Sequence, residues 1–347
     1  MKKTITLLAV ILLLAAFIIP QTGCSEKSNT EEPVALNSFY FDTTVQITIY
    51  DMEGMSEEAA SQVINDAFAE CEKYEKLLSK TVEGSDIYRI NHAGGEPVEC
   101  DPITISVIEA GLHYCELTDG AFDITIGKAT DLYDFHETET EQVPPAATDL
   151  AAAMKYVDYK QISIDGNTVT MGTKKGEIDL GAIAKGYIAD RLSEFLRSEG
   201  VTGAIISLGG NIECVGDKYG SDFRVGIEKP YSNQTEIIGA TPLSNGTIVT
   251  SGTYERYFEY QGKKYHHILS SETGEPVKTD VIGVSIRGPE GHSIDCDGLS
   301  TTCLILGSEE GMKLIDSLDD YEALFIIDDG NGGEKIEMTD GFTFEEQ

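Results

Sequence analysis

"GEIDLGAIAKGYIADRLSEFLRSEG", residues 176–200, and "GAIISLGGNIECVG", residues 203–216, carry the reading on which the fold class turns. The first stretch reads as strand, glycine turn and helix. Ile188, Leu192, Phe195 and Leu196 recur at spacings of three and four, which places them on one helical face. Gly200 is a stop signal for that helix. The second stretch reads as a buried strand broken by Gly209-Gly210. Nearer the N-terminus, "VQITIY" (45–50) alternates as a strand does. Ser56 opens a helix through residue 78, with Ala60, Val63, Ile64, Ala67, Phe68 and Cys71 on its apolar face. Asp101-Pro102 opens a second helix, over 102–117. An acidic, proline-containing loop is expected at 136–149, a strand-rich region at 224–286 and a last buried strand at 323–328. Helices and strands mix without a regular βαβ rhythm, so the expected class is α+β, with mixed sheets and packed helices.

The N-terminus reads as a targeting segment. Lys2 and Lys3 precede an apolar stretch from Ile5 to Ile19, too short for a bilayer span, and Gly23-Cys24 follows. This resembles a bacterial lipoprotein signal over 1–23, with Cys24 as the lipidated residue and a polar tether at 24–37. The alternative is an uncleaved N-terminal anchor. Both put the body of the protein outside the cytoplasm, at the extracytoplasmic face of the cell membrane. Loss of the two lysines leaves 23 basic against 60 acidic residues, a formal charge of −37. Such a balance excludes a nucleic-acid partner, because duplex binding rests on cations neutralising phosphates. It also requires any anionic ligand to be held by local devices, such as a metal ion, a helix N-terminus or a placed lysine. Cys71, Cys100, Cys115, Cys214, Cys296 and Cys303 form no CxxC pair and sit among apolar neighbours, as buried thiols do.

Four stretches carry candidate chemistry. "TDGAFDITIG" (118–127) places Phe122 and Asp123 on the far side of a turn. "IDLGAIAKG" (178–186) sets Asp179 before a glycine and Lys185 in the first turn of a helix. "HHILSSETGEPV" (266–277) ends a strand with paired histidines before a Thr-Gly turn. In "CDGLSTTCLILG" (296–307), Asp297 and Thr301 stand four apart ahead of an apolar helical run, hence on one face. Asp297 could cap that helix, since Asp is a preferred N-cap residue, or it could be half of a metal site.

Taken with "TSGTYERYF" (250–258), these stretches resemble the FAD:protein FMN transferase, or ApbE, family over nearly the whole mature chain, from about Ser38 to Gly307. The resemblance implies an ApbE-like (T-fold-like) architecture and an extracytoplasmic, Mg²⁺-dependent enzyme. Such an enzyme splits FAD, places FMN through a phosphoester on a Thr or Ser hydroxyl of an acceptor flavoprotein, and releases AMP. It further implies Asp297, Thr301 and the Ala182 carbonyl as Mg²⁺ ligands, and His267 as catalytic base. FAD contacts would come from Phe41, Thr81, Ala121, Phe122, Asp123, Asp179, Lys185 and Ile268. Implied acceptors include Rnf-type and sodium-pumping quinone-reductase subunits. The chain departs from the family pattern at Phe41-Asp42, where Met-Gly is usual, at Thr81, where an aromatic often stands, and at Ser270-Ser271, where Asp-Pro is usual. Two other readings stay open on the residues alone. One is an FAD pyrophosphatase yielding FMN and AMP, and the other is a lipoprotein that binds FAD without turnover.

Overall fold

The structure, a computed structural model, describes residues 32–133, 135, 141–232 and 236–347. Cys24, the signal segment and most of the expected tether lie outside the described residues, as do residues 136–140 of the expected acidic loop. The chain order begins with β1 (Val34–Tyr40), β2 (Thr43–Met52), α1 (Glu57–Leu78), α2 (Asp86–His92), β3 (Val98–Glu99), α3 (Pro102–Leu117), α4 (Gly127–Thr130) and α5 (Ala147–Ala153). Then follow β4 (Ile162–Asp165), β5 (Thr168–Met171), α6 (Ala184–Ser198), β6 (Val201–Leu208), β7 (Asn211–Gly216), β8 (Phe223–Glu228), β9 (Ile237–Leu243), β10 (Gly246–Gly252), β11 (Tyr257–Tyr260) and β12 (Lys263–His266). The chain closes with β13 (Val281–Pro289), α7 (Ser293–Leu306), α8 (Ser308–Asp316), β14 (Glu322–Asp328), β15 (Glu334–Met338) and β16 (Glu345–Glu346). The α+β class is therefore observed.

Among the described residues the centre is an antiparallel sheet of eight strands, ordered β1-β2-β6-β7-β10-β13-β14-β15. One face packs under α1, α6 and α7, where Ile47, Ile64, Ile188, Leu192, Ile206 and Leu299 belong to one buried cluster. The other face meets the small sheet β16-β9-β8, through Phe223, Ile227 and Leu243 against Cys214, Ile248 and Ile326. Neighbouring strands β2 and β6 are joined by a long insertion that holds α1 to α6 and the sheet β3-β5-β4. The α1 reading holds at both ends: Ser56 Oγ accepts the Ala59 N–H at 3.2 Å, and the helix stops at Leu78. Asp101 likewise caps α3 through the Ile103 N–H at 2.8 Å. All six cysteines described are buried and unpaired, and burial pushes their thiols up, Cys71 to about 12 and Cys100 to about 11.

The structure corrects several expectations. Residues 178–180 belong to no strand. Their polar groups are met instead by the Asn91 amide, which exchanges two hydrogen bonds with the Ile178 backbone (2.8 and 2.9 Å), and by Ile124 O, which accepts Asp179 N–H. Gly209-Gly210 does not interrupt one strand but turns a hairpin, with Leu208 opposite Asn211 and Gly209 at φ 62°. The apolar helix begins at Ser293 rather than Asp297, so Asp297 lies in its second turn and is not its cap. The buried strand expected at 323–328 is observed as β14, and the two strands that follow it, β15 and β16, carry no fully buried residue. Within the loop expected at 136–149, α5 begins at Ala147. β1 begins at Val34, inside the expected tether.

Candidate active site

α7 is capped from outside. Its N-cap residue His292 makes no capping bond with its side chain, and the Asp190 carboxylate of α6 accepts the Ser293 and Ile294 N–H groups at 2.7 and 3.0 Å. Asp297 is thereby released from capping. It is 2 % exposed, its Oδ2 accepts the Gly186 N–H at 2.9 Å, and Lys185 Nζ lies 3.6 Å from its Oδ1. This close approach of α6 to α7 needs glycine at 186, because a Cβ there would lie 2.2 Å from Ser293 O. It also alters the start of α6. The Gly186 N–H would ordinarily reach back four residues to Ala182 O. Spent on Asp297, it leaves the Ala182 carbonyl with no backbone donor among the described residues. One turn beyond Asp297, Thr301 Oγ1 lies 3.5 Å from Ser251 Oγ, which in turn meets Ser300 Oγ at 2.8 Å.

Asp297, Thr301, Ala182 and Lys185 line one cleft of about 1910 Å³. The same cleft is lined by Phe41, Thr81, Ala121, Phe122, Asp123, Asp179, His267 and Ile268. Every site residue expected from the sequence, Cys24 apart, thus converges on one cavity. A carboxylate, a hydroxyl and an unspent carbonyl form an all-oxygen donor set, which fits Mg²⁺ better than a softer ion. No group of three His, Cys, Asp or Glu among the described residues offers an alternative metal site.

Asp179 accepts the Gly181 N–H at 2.9 Å and the Thr130 hydroxyl at 3.1 Å. Burial alone would raise its carboxyl, but Lys80 Nζ at 2.9 Å outweighs that and holds it below the usual carboxylate range. Lys80 also pairs with Asp131 at 2.6 Å, and the two carboxylates overcome its own burial to hold its ammonium above the ordinary value. Asp123 accepts Thr125 N–H (2.8 Å), Thr125 Oγ1–H (2.6 Å) and Tyr159 N–H (3.0 Å); burial outweighs all three and raises its carboxyl. Its observed bonds are those of a turn organiser whose side chain borders the cleft.

His267 follows the end of β12, and its Nδ1 and backbone N lie 3.2 and 3.1 Å from Arg256 O. A carbonyl only accepts, so Nδ1 carries the proton and Nε2 keeps a free lone pair. The crowding walls of the cleft, then the Arg256 cation, hold this imidazole below its ordinary value, so it is neutral near pH 7. His266, one residue earlier on β12 opposite Tyr257, does not line the cleft. Ser270-Ser271 still close the following turn. Gly274 N–H donates to Ser270 O at 2.7 Å, and Ser271 Oγ–H donates to Gly120 O at 2.6 Å, tying this turn to the one that carries Phe122 and Asp123.

Sequence reasoning passed over Lys80, Glu255 and Arg256, all cleft residues. Crowding and the nearby Asp297 raise the Glu255 carboxyl, against the opposing pull of Lys185. Lys80 sits beside Thr81, and Glu255-Arg256 inside "TSGTYERYF", so the motif itself was the available signal.

Residues 41–325 match the family model described as the ApbE family. The chain is 34% identical over 259 residues to an FAD:protein FMN transferase of Klebsiella pneumoniae, covering 73% of this chain and 78% of that protein. It is 31% identical over 304 residues to one of Treponema pallidum, covering 83% and 82%. Its structure superposes on the flavin transferase ApbE from Vibrio cholerae with a TM-score of 0.77, at 26% identity over 89% of this chain and 97% of that one. With its cleft residues converging as described, this chain belongs to the ApbE family.

Proposed function

We propose that this protein transfers the FMN moiety of FAD to a Thr or Ser hydroxyl of an acceptor flavoprotein and releases AMP. One observation carries the reading: a single cleft joins the oxygen set of Asp297, Thr301 and Ala182 to Lys185 and to the free Nε2 of His267. The FAD pyrophosphate is held beside Asp297, Lys185 and the N-terminus of α6, whose Ile183 cap residue offers no competing side chain. Asp297, Thr301 and the Ala182 carbonyl would hold Mg²⁺, which would supply charge neutralisation at the pyrophosphate. The acceptor oxygen attacks the FMN phosphorus, the bond from that phosphorus to the AMP-side oxygen breaks, and the hydroxyl proton passes to His267 Nε2. Lys185, whose Nζ lies 3.6 Å from Asp297 Oδ1, stands beside the leaving phosphate. In a chain of formal charge −35, such local cations are what an anionic substrate requires.

The acceptor is an extracytoplasmic flavoprotein, of which Rnf-type and sodium-pumping quinone-reductase subunits are candidates, and a lipid on Cys24 holds the enzyme at the membrane. Incubation with FAD, Mg²⁺ and an acceptor domain, followed by intact-mass measurement, tests the transfer. A gain of one FMN phosphoester is expected. Free FMN with unmodified acceptor would replace the reading by hydrolysis, and unchanged FAD by a binding protein. Cys24→Ala is expected to leave the precursor uncleaved, and normal processing of that variant would reject the anchor.

A further inference from the structure

The tip of the β1–β2 hairpin is a strained element at the rim of the cleft. Phe41 and Asp42 hold φ of 52° and 62°. L side chains crowd the backbone in that region, and turns of this kind are ordinarily built from Asn and Gly. The Glu75 and Arg256 side chains hold the tip against this cost. Phe41 N–H donates to Glu75 Oε1 at 2.7 Å, Arg256 Nη2–H donates to Asp42 O at 3.1 Å, and Arg256 Nη1 lies 3.6 Å from Asp42 Oδ2. The Asp42 and Arg256 side chains are 48% and 42% exposed, and so open an ion pair adds little to stability. Stability therefore does not account for a strained turn tied down by it.

The main chain of Arg256 supplies a different reason. Its carbonyl accepts both the backbone N–H and the Nδ1–H of His267. One residue grips the hairpin tip with its side chain and the imidazole with its backbone. We infer that Asp42 and Arg256 form a clamp across the cleft rim, and that Arg256 is a positioning residue fixing the His267 ring and its Nδ1–H tautomer. The inference rests on the transfer reading for its chemistry, though not for its geometry. A guanidinium held at its far end by both the carbonyl and the carboxylate of Asp42 restrains the peptide from which it springs. That peptide is the one that aims Nε2.

Asp42→Gly is the informative variant, because it removes the carboxylate and also relieves the positive φ. The full chain is assayed for melting temperature, for kcat and KM by AMP release, and for imidazole ¹⁵N shifts, with His267 assigned by comparison with His267→Gln. The melting temperature is expected to hold or rise, while kcat falls about tenfold from misorientation and KM for FAD moves less than about threefold. The His267 nitrogens should shift from the Nδ1–H pattern toward a mixture of tautomers. Arg256→Lys, which keeps the charge but loses the fork, should behave alike, and the double variant should be no worse than either single one. Unchanged kcat and tautomer in Asp42→Gly, or a kcat loss that tracks a lower melting temperature, would overturn the clamp. If the wild type releases no AMP, the transfer reading fails, and the ¹⁵N comparison alone then decides for or against the clamp.

Discussion

The backbone N–H of Gly186 donates to Asp297 Oδ2 at 2.9 Å, across 111 positions of sequence. This bond aligns the start of α6 with the second turn of α7 and leaves the Ala182 carbonyl unspent. Gly186→Ala would drive a methyl into Ser293 O and Ile294 Cα. Overpacking of this kind is expected to cost about 1–3 kcal/mol. Thermal unfolding measures that cost, and the Mg²⁺ concentration for half-maximal activity should rise in the same variant.

Asp297→Asn keeps an oxygen able to accept the Gly186 N–H but removes the charge. The cap of α7 is Asp190, so helix stability should change little. AMP release, by contrast, should fall at least about 10²-fold, as when an electrostatic element of phosphoryl transfer is removed, with excess Mg²⁺ restoring only part. Wild-type activity at an unchanged Mg²⁺ requirement would sink the metal assignment.

His267→Ala should lower kcat by about 10²–10⁴-fold, the range for loss of a general base, with FAD affinity largely kept. His266→Ala, whose side chain does not line the cleft, should be much milder. Flavin fluorescence separates binding from turnover here, and a more damaging His266→Ala would reverse the assignment of the two rings.

Lys80→Met leaves Asp179 without its ammonium in a largely enclosed setting. The carboxyl, now governed by burial, should titrate at a higher pH than in the wild type. Breaking such a pair is expected to cost on the order of 1–3 kcal/mol, less than a fully buried pair because both side chains keep some solvent. FAD titrations should show weaker binding; unchanged affinity would make Lys80 purely structural.

Glu213 is 0% exposed on β7, with Oε1 accepting Gly291 N–H at 3.1 Å and Oε2 unpartnered. Burial, then the nearby Asp190, pushes its carboxyl up to about 8. The folded state therefore holds a proton that the unfolded chain has already released above its ordinary value of 4.5. The stability linked to that proton is complete below about 4.5 and declines as pH rises through 8, by at most about 1.4 kcal/mol per pH unit. Denaturant melts between pH 5 and 8 should show this decline, and Glu213→Gln should flatten it.

Features that depend on neighbouring residues were legible in the sequence. Ser56 and Asp101 cap α1 and α3 as read, because an N-cap is a bond between neighbours. The apolar spacing of α6 named its buried face, because 3.6 residues per turn fix which side chains align. The motif stretches also named a set of cleft residues that converge. Tertiary structure decided what distant partners settle. Residues 178–180 form no strand, and the Asn91 side chain, 87 positions away, takes both backbone groups of Ile178 that a ladder would have used. Asp297 does not cap because Asp190, from another helix, already does. Lys80 faces Asp179, and Arg256 reaches Asp42, only once the sheet has closed. Hydrogen bonds and charges act over a few ångströms of space, and sequence separation sets no limit on which groups meet at that range.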